Sequence, residues 1–383
     1  MPVIRLYPRS SFLLHILATR CGFFLTGLGL AVWAPLVPYV HARIPMSEAT
    51  FGLLLLSIGL GSLCCMPLSA LFTGKFGIRR TALSAILLLA SALFGIIFVE
   101  QLWLMAVTLF VFGGSLGVLD IVFNIQGMII EARSGRSMMA GFHGMYSLGT
   151  ICGAMLVTLL LMAGTSPVLS PLLAVTCILL LGLWSWPGLL SRKTRSDVNG
   201  RHWPNPMIIL VGLMCFIVYL AEGAILDWSA LFLVDYRGLQ PSSGGLGYTA
   251  FALMITLGRF LGDGLVARLG RVRMIFLGGL IAAGGLSLSL MTSHWLFALL
   301  GYGLCGLGCA NISPLLISSL NHQTHMPPHL AVTAATTIGF AGVLAGPALM
   351  GMIAQHSSLA HAFGMVALGL LLVAIASSGF RTP

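Results

Sequence analysis

The stretch SRKTRSDVNGRHWPNP, residues 191–206, is the only long polar run in the chain. On either side of it the sequence is a succession of apolar segments parted by short turns. Hydropathy marks six segments before it, at 12–40, 50–74, 81–99, 103–130, 138–163 and 167–190. Six more follow it, at 207–234, 247–267, 274–292, 295–319, 330–355 and 358–379. Crossing a hydrocarbon core of about 30 Å takes roughly 20 apolar residues in a helix, so these segments are spans. The expected fold is an all-α membrane protein. Its twelve transmembrane helices form two pseudo-symmetric six-helix halves, 1–190 and 207–383, with 191–206 as a cytoplasmic linker.

Composition agrees. Of 383 residues, 58% are hydrophobic and 7% charged, with a mean hydropathy of +1.02. A soluble chain carries roughly a quarter charged residues. A water-soluble enzyme, a disordered chain and a nucleic-acid binder are all excluded. The net charge of +10 is explained by position. With a cytoplasmic amino terminus, that face takes Arg5, Arg9, Lys75, Arg79, Arg80, Arg133, Arg136, Arg192, Lys193, Arg195, Arg201, Arg268, Arg271, Arg273 and Arg381. The other face takes only Arg43 and Arg237. Such asymmetry follows the positive-inside rule and places both termini in the cytoplasm. The first apolar stretch runs past Trp33 to Tyr39 without a cleavage site, as an uncleaved insertion signal does.

No cofactor or metal is expected. All eight cysteines lie in apolar runs, and Cys305 and Cys309 have no acid or histidine nearby to complete a site. The histidines His322, His325 and His329 share a loop with Pro327 and Pro328 but with no carboxylate. A GxxxxGK[ST] sequence is missing, so ATP is not the expected energy source.

The halves repeat. Lys75-Phe76-Gly77-Ile78-Arg79-Arg80 follows span two, and Arg268-Leu269-Gly270-Arg271-Val272-Arg273 follows span eight. Trp33 in span one and Trp228 in span seven stand at nearly the same offset. Repeated halves imply a solute site near the bilayer midplane that opens to each side in turn.

The basic-Gly-basic turns and the basic central linker resemble the major facilitator superfamily over essentially the whole chain. That resemblance puts gating on Lys75, Arg79, Arg80 and Arg268. The acid that precedes the family's turn is replaced by Gly74 and Ala267, and Arg259 with Asp263, one turn apart in span eight, is the expected substitute. Three stretches carry a closer likeness: Leu116-Gly117-Val118-Leu119-Asp120-Ile121-Val122-Phe123-Asn124, His143-Gly144-Met145-Tyr146-Ser147-Leu148-Gly149, and Ala221-Glu222-Gly223 with Asp227-Trp228. Together they resemble a bacterial inner-membrane branch near the fucose:proton symporters, in which span four carries an acid where this chain has Asp120. The branch's Trp-x-x-Arg-x-Pro is here Trp33-Ala34-Pro35-Leu36-Val37-Pro38, without the arginine.

Charges inside spans are costly, about 2.5–3.5 kcal/mol each at a helix centre on insertion scales, so each needs a cavity, a partner or a task. Asp120 is the expected proton carrier, because a carboxylate withdrawn from water can hold a proton and release it when its surroundings rewet. Its structural alternative is a bond to Asn124, one turn on, or to Arg20. Glu222 is the second expected proton site. Asp227, five residues further, faces another way; it lines the outer end of the pathway or ties span seven to a neighbour. The pair Arg259 and Asp263 either gates or neutralises itself. His143 either shares a proton with Asp120 or is a satisfied interfacial residue. The family resemblance has the cavity lined by spans one, four, seven and ten. With span five, these supply Trp33, Asn124, Tyr146, Asp227, Trp228, Tyr302 and Asn311 as substrate-binding candidates.

The expected function is secondary active transport of a small organic solute, sugar-like or another polar metabolite, by alternating access with proton coupling. The expected setting is a monomer in a bacterial inner membrane, with solute, protons and lipid as its partners. A proton-driven exporter of amphipathic drugs is the alternative within this class. A membrane enzyme or a non-transporting sensor is the remote one, since no catalytic loop constellation or soluble domain is present.

Overall fold

The computed structural model describes residues 9–134, 138–191, 205–320 and 328–378, without the side chains of 9–11, 70, 140, 263, 328–330 and 333. The linker's basic residues Arg192, Lys193, Arg195 and Arg201, with Arg5, Arg136 and Arg381, the loop histidines His322 and His325, and the side chains of Arg9, His329 and Asp263 therefore lie outside the described residues. Among those described there is no strand.

Twelve helical stretches are long and apolar enough to cross a membrane: Phe12–Arg43, Glu48–Phe76, Ile78–Phe98, Leu102–Ser134, Gly141–Met162, Leu169–Gly188, Pro206–Tyr236, Pro241–Gly262, Arg271–Met291, Trp295–Ser319, Ala334–His356 and Leu359–Ser377. The all-α, twelve-span expectation holds. Several helices outrun their apolar cores, spans one and four most clearly. Hydropathy reads where lipid ends, whereas a helix continues until something stops its hydrogen bonding.

What stops spans two and eight is the repeated turn. Gly77 has φ 83 and ψ 163, and Gly270 has φ 78 and ψ 160. The two turns thus share one backbone conformation, in a region nearly closed to residues with a Cβ. Gly77 N–H still bonds to the Thr73 carbonyl at 3.1 Å, and Gly270 N–H to that of Val266 at 2.9 Å. The sequence repeat is a repeat of geometry.

Among the described residues several spans are irregular, three of them as follows. Span one consists of the helices Arg9–Ala31 and Trp33–Arg43, which meet at Val32. Span ten consists of Trp295–Cys309 and Ile312–Ser319. Span seven finishes in a π-turn, Phe232–Tyr236. Such irregularities cost backbone hydrogen bonds and recur at functional positions.

By compactness the chain forms two units. The first holds residues 1–32, 60–157 and 165–197; the second holds 33–59, 158–164 and 198–383. Within lipid no hydrophobic force drives helices together, so close contact rests on small residues. In the first unit Gly149 and Gly153 of span five lie against the backbone of Phe24 and Leu28 in span one. In the second, Gly342 of span eleven lies against Phe216 of span seven.

A Cβ at Gly270 would meet nothing within 4 Å, so any penalty for adding one is backbone strain alone. Gly270→Ala is expected to destabilise by about 1–3 kcal/mol. Gly284→Ala, equally open but inside a helix, is expected to be neutral or to stabilise by about 0.5–1 kcal/mol. Thermal unfolding in detergent checks both, and equal melting temperatures for the two variants would refute the strain.

Candidate functional site

In the first unit the polar residues of span four gather on one stretch. Asn124 Nδ2 donates to the Asp120 carboxylate Oδ1 at 3.1 Å and to the Asp120 carbonyl at 2.8 Å. Asp120 and Asn124 are both half-buried. The pairing arises because i and i+4 share a helix face. Phe23 of span one packs beside them, with its ring centroid 6.4 Å from that of Phe123 and 5.0 Å from the edge-on His143. Arg20 and His143 are exposed, and Tyr146 is half-buried.

Gln126, two residues beyond Asn124, was not singled out from the sequence, yet it is fully buried. Its amide donates to Thr19 Oγ1 at 2.9 Å and accepts from the Leu190 N–H at 3.1 Å. Arg79 meets the same segment, donating from Nε to the Leu189 carbonyl at 2.9 Å and from Nη2 to the Pro187 carbonyl at 3.1 Å. His15 Nδ1 bonds to the Gly188 carbonyl at 2.7 Å. The end of span six is thus held by residues of spans one, three and four. Arg79, expected at a gate, has its guanidinium occupied by carbonyls of its own unit. Lys75, Arg80 and Arg268 are exposed.

The second unit brings together two substrate-binding candidates. Trp33 Nε1 donates to Asp227 Oδ1 at 3.0 Å, and both residues are buried. Of the two roles open to Asp227, the tie to a neighbour is the one seen in these contacts. Trp228 is fully buried and meets Phe51 edge-on at 5.1 Å. Tyr302 is likewise fully buried, 6.0 Å from Phe363. Among the described residues neither Trp228 Nε1 nor the Tyr302 hydroxyl has a hydrogen-bond partner. At the interruption of span ten, Asn311 Nδ2 donates to the Gly258 carbonyl at 2.8 Å, pinning span ten to span eight.

Glu222 is half-buried, and the exposed Arg259 of span eight acts on it electrostatically. The side chain of Asp263 lies outside the described residues, so the Arg259–Asp263 pair is not seen. Tyr219 stands one turn before Glu222 on the same face and lies beside Ser313 and Cys215. Its ring packs on Phe340 of span eleven at 5.5 Å. Tyr219 and Phe340 escaped sequence reading. An aromatic three residues from an intramembrane acid was the available signal for Tyr219, whereas Phe340 joins only through packing. Among the described residues no group of His, Cys, Asp or Glu is arranged to hold a metal, and all eight cysteines are free.

A family model for the Major Facilitator Superfamily matches residues 21–335. The chain belongs to this superfamily of membrane transporters, and it is a multi-pass transporter rather than an enzyme. It is 44% identical, over 93% of each chain, to an uncharacterised MFS-type transporter of Yersinia pestis. Its fold matches a crystal structure of a point mutant of the nucleoside transporter NupG with a TM-score of 0.78 at 12% identity, covering 96% of this chain and 100% of that one. It also matches a D-xylose-proton symporter with a TM-score of 0.74 at 14% identity, covering 97% and 98%.

The Trp33–Asp227 bond makes a measurable prediction. Trp33→Phe leaves the buried carboxylate without this donor and is expected to destabilise the protein by about 1–3 kcal/mol. Asp227→Asn, which keeps an acceptor oxygen, is expected to cost less. In a double-mutant cycle read by unfolding, Trp33→Phe and Asp227→Ala should be non-additive. Additive losses would show that the bond contributes nothing.

Proposed function

We propose that this transporter moves a small polar organic solute by alternating access, driven by protons, as a monomer in the bacterial inner membrane with both termini cytoplasmic. Asp120 is the proton carrier and Glu222 the second essential acid. The observation that carries the reading is Asp120 itself, a half-buried carboxylate inside a span; its bond to Asn124, the structural alternative, brings it a neutral amide and not a counter-charge. An acid kept at that depth needs either a fixed counter-charge or a proton that comes and goes. The described hydrogen bond to Asp120 comes from a neutral amide, which suits the second. Glu222 differs in having Arg259 within electrostatic reach, so its charge is offset while the carboxyl stays able to take up a proton.

The orientation rests on the excess of basic residues on one face. Movement of the two repeated halves, 1–190 and 207–383, supplies the alternation, and Lys75, Arg80 and Arg268 flank the turns that close the cytoplasmic side. Trp33 and Asp227 act together as a tie that is made and broken, while Tyr146 and Asn311 border the solute pathway. The two fold matches, a nucleoside transporter and a D-xylose symporter by name, supply reasonable first test solutes.

Proteoliposomes loaded with a pH-sensitive dye test the coupling. Adding D-xylose, other monosaccharides or uridine outside should acidify the lumen for the transported member. Asp120→Asn is expected to abolish that acidification while leaving solute binding detectable. Acidification undiminished in Asp120→Asn, or uptake indifferent to an imposed pH gradient, would overturn the proposal.

A further inference from the structure

Four side chains of the second unit, with a serine beside them, form a wall that the sequence reading did not assemble. On span seven Cys215, Tyr219 and Glu222 follow at i, i+4 and i+7, one helix face. Phe340 of span eleven packs on the Tyr219 ring at 5.5 Å with an interplanar angle of 40°. This contact is possible because Gly339 has no side chain: a Cβ there would stand 3.0 Å from both Cys215 Cβ and the Tyr219 ring. From span ten, Ser313 lies beside Tyr219 and Cys215. It is 5% exposed, so its hydroxyl is a buried one.

The wall also carries charge. Glu222 is half-buried and Arg259 exposed, and both lie within membrane-spanning helices. Charged groups inside spans are kept where they pair, face the bundle interior or meet water, and Glu222 and Arg259 are within electrostatic reach of one another. Tyr219 is on the Glu222 face by helical spacing. Phe340, which touches it, is 46% exposed. An aromatic pair with one accessible ring therefore stands next to an acid, a guanidinium and a buried hydroxyl.

We infer that Tyr219 and Phe340 form a stacking subsite for a neutral hydroxylated ring, with Glu222 and Ser313 bonding the hydroxyl groups at the ring's edge. A ring offers an apolar face to the aromatics and hydroxyls at its rim, whereas an open-chain polyol offers hydroxyls without the face. Arg259 balances the charge of Glu222, so a cationic solute has no electrostatic advantage. The inference rests on the transport reading above, from which it takes the existence of a solute, but it concerns recognition alone.

The test is binding to the purified protein in nanodiscs, read by thermal shift. D-xylose, D-ribose, D-glucose and uridine are compared with the open-chain xylitol, ribitol and sorbitol. Stabilisation is expected from ring compounds and not from the polyols. For the best ring compound, Phe340→Leu and Tyr219→Leu should each raise the half-saturating concentration about three- to tenfold, the range aromatic stacking supports. Phe340→Trp, which restores a face, should return it to near the wild-type value, and this rescue separates stacking from folding. Polyols that stabilise as well as the rings, a panel in which no ring stabilises, or Leu variants that bind like wild type would overturn the subsite. Proton movement that persists in wild type and fails in Asp120→Asn would leave the transport reading standing in each of those cases.

Discussion

A polar group in hydrocarbon has no water to bond, and most of this architecture answers to that constraint. It makes the backbone helical, because only a helix satisfies its own N–H and C=O groups within one segment. It also makes each intramembrane side-chain charge or amide a feature that must be accounted for. Asp120 has Asn124, Asp227 has Trp33, and Gln126 has both Thr19 and the Leu190 N–H. Asn311 satisfies a carbonyl of another span. Each of these bonds joins or stiffens specific helices, so the polar residues a lipid environment tolerates least give the packing its register.

Close packing is the second consequence. Glycines let Phe24 and Leu28 meet span five, and let Phe216 meet span eleven, at backbone distance. Dispersion and interhelical hydrogen bonds then do what apolar burial does in a soluble core. The same devices suit the proposed movement. A contact made through small side chains and single hydrogen bonds can be remade at modest cost, as the proposed alternating access requires. The interruptions at Val32, at Ala310–Asn311 and over Phe232–Tyr236 fall in spans one, seven and ten, which also carry the Trp33–Asp227 and Asn311–Gly258 bonds.

How much was legible beforehand differs by element. Span number and helical class were readable because each span is an independent run of about 20 apolar residues, a local signal. The two Gly turns were readable because their charges and spacing repeat, and their shared positive φ is a property of glycine itself. Asp120 and Glu222 stood out as acids where hydropathy should have removed them. Trp33 and Asp227 were both noticed, but not as partners, since no local rule pairs residues so far apart. Gln126, Tyr219 and Phe340 passed unnoticed, because an amide or an aromatic in an apolar run is commonplace until its neighbours are known.

Hydropathy and charge along the chain specify what the bilayer tests one segment at a time: twelve helical spans, their division by a basic linker, a doubled turn and a short list of costly charges. Which of those groups answer one another is set by the way the helices pack. Packing puts Trp33 on Asp227, Arg79 and Gln126 on the end of span six, and Phe340 beside Tyr219. The difference is one of range. Transfer into lipid depends on a residue and its near neighbours along the chain, whereas a hydrogen bond or a ring contact is set within a few ångströms by how distant helices cross.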